Sequence, residues 1–314
     1  MNFGAIIKKE ILAKQIKDKC CKKAFLAGLI RGTGQLYLKN GMIGLDFSVH
    51  DEELFIATQN YLKSVFDYEV RDFSVGEDRL NQRDTFTLGI TGERATEILL
   101  SLGILAKNKL DTVVNLKFYG QLTNKECCLK AFLRGLFVSV GGATVPQKEA
   151  SNTTKYHAEF CFSHSAPASD TLGILLNHGI NAKIIRRKGN YVVYVKSVEG
   201  ITDLCAFLST PVAVLKLTDL TINRELSNNS NRQKNCDMAN ATRQVEATLK
   251  QIEAIKKLKA KKVFDSLKKD LKETAESRII YQDDTLSELA DRLQVTKSCL
   301  NHRLRKILKL AEEL

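Results

Sequence analysis

The strongest constraint on this chain is that it repeats itself. The phrase CCKKAFLAGLIRGTG at 20–34 returns as CCLKAFLRGLFVSVG at 127–141, at a constant offset of 107 residues. Nine of the fifteen aligned positions are identical: both cysteines, Lys23/Lys130, Ala24/Ala131, Phe25/Phe132, Leu26/Leu133, Gly28/Gly135, Leu29/Leu136 and Gly34/Gly141. Chance does not produce that agreement, so residues 1–215 are expected to hold a duplicated unit, with repeats at about 1–107 and 108–215.

The patterns that follow each phrase correspond as well. After the first come an alternating strand at 43–49, an amphipathic helix at 52–66, strands at 68–75 and 84–91, and a helix at 93–105. After the second come a strand at 156–162, a helix at 169–179, strands within 182–196 and a closing helix at 198–209, with a longer loop ahead of the first strand. Apolar periods of 2 and 3.6 therefore alternate in the same order twice, which predicts two α/β halves packed as a pseudo-dimer. Gly28 and Gly32 lie four apart on one helical face, as do Gly135 and Ser139. Small residues at that spacing let helix backbones approach, so the repeated helix is the expected seam.

Composition narrows the class. The chain has 314 residues, 44% hydrophobic and 27% charged, ordinary values for a folded protein of about two domains. No apolar run approaches the ~20 residues that span a bilayer, and the N-terminus has no signal-peptide core. A cytoplasmic protein with no membrane partner is expected. The net charge of +12 favours an anionic partner, commonly nucleic acid. Eight cysteines show no CxxC and no Cys/His set at zinc spacing. They read as reduced packing residues, with no metal and no cofactor expected.

Past Pro211 the character changes. The Asn- and Ser-rich stretch 217–235 reads as irregular and polar, giving a linker at 216–240 before a helical domain at 241–314. Val245, Leu249, Ile252 and Ile255 form one apolar stripe, followed by the basic run KKLKAKK at 256–262. Residues 221–314 carry a surplus of 6 positive charges, half of the total in under a third of the length. A helix is expected through 263–280. Thr285 and Glu288 then form an [ST]-x-x-E capping box at the head of another helix. A tight Gln294-Val295 connection leads to a last helix opened by Thr296, with Leu286, Leu289, Leu293, Leu300, Leu304 and Ile307 as a small core. That is a helix-turn-helix pattern. Its last helix turns Lys297, Ser298, Asn301, His302 and Arg305 away from the core, with Arg303, Lys306 and Lys309 flanking. Polar side chains near the helix start suit base edges, and the basic ones beyond suit phosphates.

Two resemblances extend this reading. LAGLIRGTG (26–34) resembles the LAGLIDADG signature of homing endonucleases, whose two signature helices pack at a pseudo-twofold axis. In that family the penultimate motif residue of each repeat is an acidic metal ligand. Here those places hold Thr33 and Val140, so two-metal phosphodiester cleavage lacks its ligands and no catalytic residue is expected. TKSCLNHRLRKI (296–307) closely resembles the recognition helix of the bacterial WhiA family, with Cys299 where that family's glycine is expected. NRQKNCDMAN (231–240) is similar to the same family's linker phrase. The resemblance covers nearly the whole chain. It implies an α+β fold: a degenerate, pseudo-twofold LAGLIDADG-like domain followed by an all-α helix-turn-helix domain. It further implies a non-catalytic, nucleoid-associated transcriptional regulator of cell division or sporulation. Such a protein would bind double-stranded DNA through Lys297, Ser298, Asn301, His302, Arg303, Arg305 and Lys306, with another transcription regulator as a further partner. The alternatives are a protein-interaction scaffold on the repeat domain, with DNA binding confined to the tail, and a residual nuclease.

Overall fold

The computed structural model describes residues 2–78, 83–108, 111–118, 120–146 and 155–314. Most of the longer loop expected in the second repeat, at 147–154, lies outside the described residues. The chain forms two compact units, Met1–Leu220 and Thr221–Leu314.

The first unit opens with helix α1 (Phe3–Ala13) and the first signature helix α2 (Lys19–Thr33), followed by strands β1 (Gly34–Lys39) and β2 (Met42–Val49), helix α3 (Glu52–Phe66), strands β3 (Asp72–Asp78) and β4 (Arg83–Thr91), and helix α4 (Glu93–Ser101). A connector made of β5 (Leu105–Lys107), β6 (Thr112–Val114) and α5 (Gly120–Thr123) leads to the second signature helix α6 (Glu126–Val140). The second repeat continues with β7 (Gly141–Thr144), β8 (His157–Phe162), α7 (Ser165–Asn177), β9 (Lys183–Arg187), β10 (Asn190–Val195) and α8 (Val198–Phe207). The two four-stranded sheets share one topology, β1-β2-β4-β3 and β7-β8-β10-β9, antiparallel throughout. Both begin directly from the signature helix, because Gly34 and Gly141 turn the chain from helix into strand at the same repeat position.

Each sheet buries alternate residues, as period-2 patterning requires: Leu45, Phe47 and Val49 on β2, and Ala158, Phe160 and Phe162 on β8. Helices pack on one another and on these faces, with Phe25 of α2 edge-on to Tyr61 of α3 and Phe137 of α6 edge-on to Phe160 of β8. Between the halves, α2 packs on α6 with pseudo-twofold exchange. A Cβ on Gly28 would stand 2.1 Å from the Phe132 carbonyl oxygen, and one on Gly135 would stand 2.1 Å from that of Phe25. Only hydrogen fits at either place, so the duplicated glycines set the distance between the helices.

Helix α9 (Pro211–Ala260) starts in this unit, where Glu10 accepts hydrogen bonds from the Val212 and Ala213 amides at 2.8 and 2.9 Å and caps its first turn. Residues 217–235, read from sequence as irregular, are helical. The physical reason is that Asn and Ser lower helix propensity by only tenths of a kcal/mol each, and no glycine or further proline interrupts 212–260. Local bonds such as Gln233 Nε2 to Asp237 Oδ1, 3.0 Å, add support.

In the second unit the end of α9 packs with α10 (Lys269–Ile280), α11 (Leu286–Arg292) and α12 (Lys297–Glu312) around Ile255, Leu258, Leu271, Leu289, Leu300, Leu304 and Ile307. The helix expected over 263–280 begins only at Lys269, after a 3-10 turn at Phe264–Ser266. The stripe on α9 also shifts: Ile252 and Ile255 are buried, as are Thr248 and Gln251, while Val245 and Leu249 are exposed. Among the described residues no helix is long and apolar enough to cross a membrane.

Candidate nucleic-acid interface

The geometry of the last two helices is set by local chemistry. Thr285 caps α11, its hydroxyl accepting from the Glu288 amide at 3.2 Å, while Glu288 accepts from the Thr285 amide at 2.7 Å. First the Thr285 backbone N–H and then its hydroxyl hold the Glu288 carboxyl below its ordinary range. Gln294 takes a left-handed conformation (φ 52°), and the Val295 amide bonds back to the Ala290 carbonyl, so the chain reverses in three residues. Thr296 then caps α12 through the Cys299 amide, 3.2 Å.

Beneath the turn lies a polar clamp that sequence patterning did not reveal. Arg278, 1% exposed, donates from Nε to Gln251 Oε1 at 2.9 Å and from a terminal nitrogen to the Asp284 carbonyl at 2.8 Å. Burial lowers its pKa, and Asp284 partly offsets that. Asp284 in turn pairs with Arg292 at 2.5 Å, and the Arg292 guanidinium stacks 4.2 Å from the centre of the Tyr281 ring. The clamp ties α9, α10 and the loop before α11 together. An arginine inside a helical pattern otherwise reads as surface.

With Leu300, Leu304, Ile307 and Ala311 facing inward, rotation by 100° per residue places Ser298, His302, Arg305 and Lys309 on the opposite face. Lys297, Ser298, His302, Arg305 and Lys306 are exposed, and Asn301 is half-buried at the margin. Arg303 differs from the rest of the expected set. It turns back onto α10, 3.7 Å from Asp270 and 3.5 Å from the Thr274 hydroxyl. That bond holds its guanidinium against the protein rather than in solvent.

In the first unit, the motif ends carry no carboxylate. The Thr33 hydroxyl donates to the Leu29 carbonyl at 3.0 Å, and Val140 packs against the core. Arg31, where the LAGLIDADG motif has its first acid, grips the Gly103 and Asn115 carbonyls at 2.7 and 3.0 Å. Burial pushes its pKa down to about 10, with Asp170 opposing. Arg134 likewise binds the Leu208 carbonyl at 2.7 Å. Half-buried Arg31 thus ties α2 to the end of the first repeat and to the connector beyond it, and buried Arg134 ties α6 to the end of α8. The edge strand β9 is exposed along its length and presents Lys183, Arg186 and Arg187, a basic stripe too short to stand out in sequence.

The expectation of cysteines as packing residues fits Cys21, Cys128 and Cys205, which are buried, whereas Cys20, Cys127, Cys236 and Cys299 are exposed. Among the described residues, one group of metal-ligand type comes together: Cys20, Cys21 and Cys128, with all three sulfurs within 4.8 Å. It lies at the opposite ends of α2 and α6 from Thr33 and Val140.

Comparison with known proteins gives three family models in chain order: the WhiA N-terminal LAGLIDADG-like domain at 19–105, the WhiA LAGLIDADG-like domain at 129–227, and the WhiA C-terminal HTH domain at 230–311. A probable cell division protein WhiA from Alkaliphilus oremlandii is 35% identical, covering 100% of this chain and 98% of that protein. Its namesake from Bacillus subtilis is 34% identical, over 100% and 97%. The crystal structure of full-length WhiA from Thermatoga maritima aligns with a TM-score of 0.58 at 24% identity, covering 98% of this chain and 97% of that one, a likeness of fold.

Proposed function

This chain belongs to the WhiA family, and from that premise we propose that it is a non-catalytic, double-stranded-DNA-binding transcriptional regulator connected with cell division or sporulation, cytoplasmic and nucleoid-associated. The observation that carries the reading is the exposed face of α12. Its start is fixed by the Thr296 cap and by the clamp below. Lys297, Ser298 and His302 stand near the beginning and Arg305 and Lys306 a turn later. A helix presented this way fits the major groove, with Ser298 and Asn301 reaching toward base edges and Arg305 and Lys306 toward phosphates. Thr33 and Val140 support the non-catalytic part, since neither side chain can ligate a divalent cation as a carboxylate does. Another transcription regulator remains the further partner proposed for the repeat domain.

Gel-shift titrations at several salt concentrations test the proposal. Affinity should fall steeply with salt, and R305A/K306A should bind more weakly with a salt slope shallower by about two, one for each lost phosphate contact. Substituting Asn301 should change selectivity between sequences more than affinity for bulk DNA. Unaltered binding by R305A/K306A would refute this docking. Cleavage of plasmid DNA in Mg²⁺ or Mn²⁺ would refute the non-catalytic reading.

A further inference from the structure

The duplication that builds the seam also brings two cysteine pairs together. Cys20 and Cys21 occupy the first turn of α2, and Cys127 and Cys128 the first turn of α6. Cys21 and Cys128, equivalent across the pseudo-twofold, face each other with sulfurs 4.0 Å apart. Cys127 Sγ is also 4.0 Å from Cys128 Sγ. Cys20 completes a group with Cys21 and Cys128 whose three sulfurs all lie within 4.8 Å of one another.

From this arrangement we infer a tetrathiolate site for a single soft divalent cation, Zn²⁺ by preference: Cys20, Cys21 and Cys128 already stand together across the seam of the two repeats, and Cys127, beside Cys128, supplies the fourth ligand by a change of rotamer. Zinc–sulfur bonds of about 2.3 Å in a tetrahedron place the sulfurs roughly 3.8 Å apart, close to the 4.0 Å that separates Cys128 from Cys21 and from Cys127. A disulfide explains the geometry less well. It joins two sulfurs at about 2.05 Å, whereas here each buried sulfur has several neighbours and none is at bonding distance. Cys20 and Cys127 are exposed and provide the entry path, while Cys21 and Cys128 form the buried floor.

The surroundings suit an anionic cluster. Neither helix start has a side-chain cap, so the positive end of each helix dipole faces the sulfurs. Binding is a plain exchange: four S–H bonds break, four Zn–S bonds form, four protons pass to solvent, and no electrons move. The ion would then crosslink α2 to α6 at the ends away from the degenerate motif residues.

The experiment uses the full-length chain, reduced, stripped with a chelator and titrated with Co²⁺ as the probe, followed by Zn²⁺. The expected result is saturation at one ion per chain with the intense visible bands of tetrahedral cobalt–thiolate, abolished when Zn²⁺ displaces the cobalt, and a raised melting temperature with metal bound. C20S/C127S changes two exposed positions, so far-UV circular dichroism should be retained while the bands are lost. Folded wild-type protein without those bands would overturn the inference. So would bands that persist in C20S/C127S, or a metal-free Cys21–Cys128 disulfide in protein prepared without reductant.

Discussion

Gly28→Ala isolates the contact on which the duplicated fold depends. The added Cβ would lie 2.1 Å from the Phe132 carbonyl oxygen and 2.9 Å from the Leu136 amide nitrogen, both backbone atoms in the middle of α6. Neither can rotate away, so α2 and α6 must separate by about 1 Å to restore ordinary contact. A gap of that size forfeits a quarter to a half of the dispersion energy of the atoms lining it. The lining is the best-packed part of the unit, including Phe25, Leu29, Phe132 and Leu136, all 2% exposed or less. Overpacking of this kind costs about 1–3 kcal/mol and occasionally more, against a gain of about 1 kcal/mol from replacing glycine in a helix. With no flexible side chain to yield, the upper end of the range applies, and a net loss of about 2 kcal/mol is expected. For a unit of this size that lowers the melting temperature by roughly 4–8 °C, measurable by scanning calorimetry on the full chain. Gly173→Ala supplies the opposite sign, because a Cβ there meets nothing within 4 Å on helix α7; it should stabilise by up to about 1 kcal/mol. A G28A protein as stable as wild type would refute the close backbone approach at the seam.

Further perturbations test the second unit. Arg278→Met strands Gln251 Oε1 and the Asp284 carbonyl; at about 1–3 kcal/mol for each unsatisfied group, thermal denaturation should show a loss of about 2–4 kcal/mol, and an unchanged midpoint would mean that the clamp is not needed. Arg303→Ala should reduce stability while leaving the salt slope of DNA binding in place, since its guanidinium is held by Asp270 and Thr274; a slope shallower by about one would instead put it on a phosphate. The Glu288 carboxyl, held low by Thr285, contributes fully above its ordinary value of 4.5, and that contribution fades as pH falls through its lower folded value. Glu288→Gln should therefore be less stable than wild type near neutrality and indistinguishable from it in acid, as chemical denaturation across pH will show; a gap independent of pH would exclude the carboxylate as its source.

Much of this protein was readable from local pattern. The 107-residue offset announced two halves with the same order of strands and helices, and the glycine spacing pointed to α2 and α6 as the seam. The capping box at Thr285 and Glu288 and the Thr296 cap placed the last two helices, because caps act within four residues of chain. Thr33 and Val140 could be judged for metal binding on residue type alone. Where local propensity is weak, pattern misleads: the Asn and Ser content of 217–235 suggests an irregular segment, yet it continues a helix that nothing interrupts. Contacts between distant segments had no local signal at all. That Arg278 is buried depends on Gln251, 27 residues away, and that Arg303 turns inward depends on Asp270. The cysteines show the division most clearly. Sequence alone determined two adjacent pairs 107 residues apart, without the short spacing by which a metal site is recognised along a chain. Only the packing of α2 on α6, held close by Gly28 and Gly135, brought the four sulfurs to one end of the seam, because helices that meet across a pseudo-twofold axis place equivalent residues face to face.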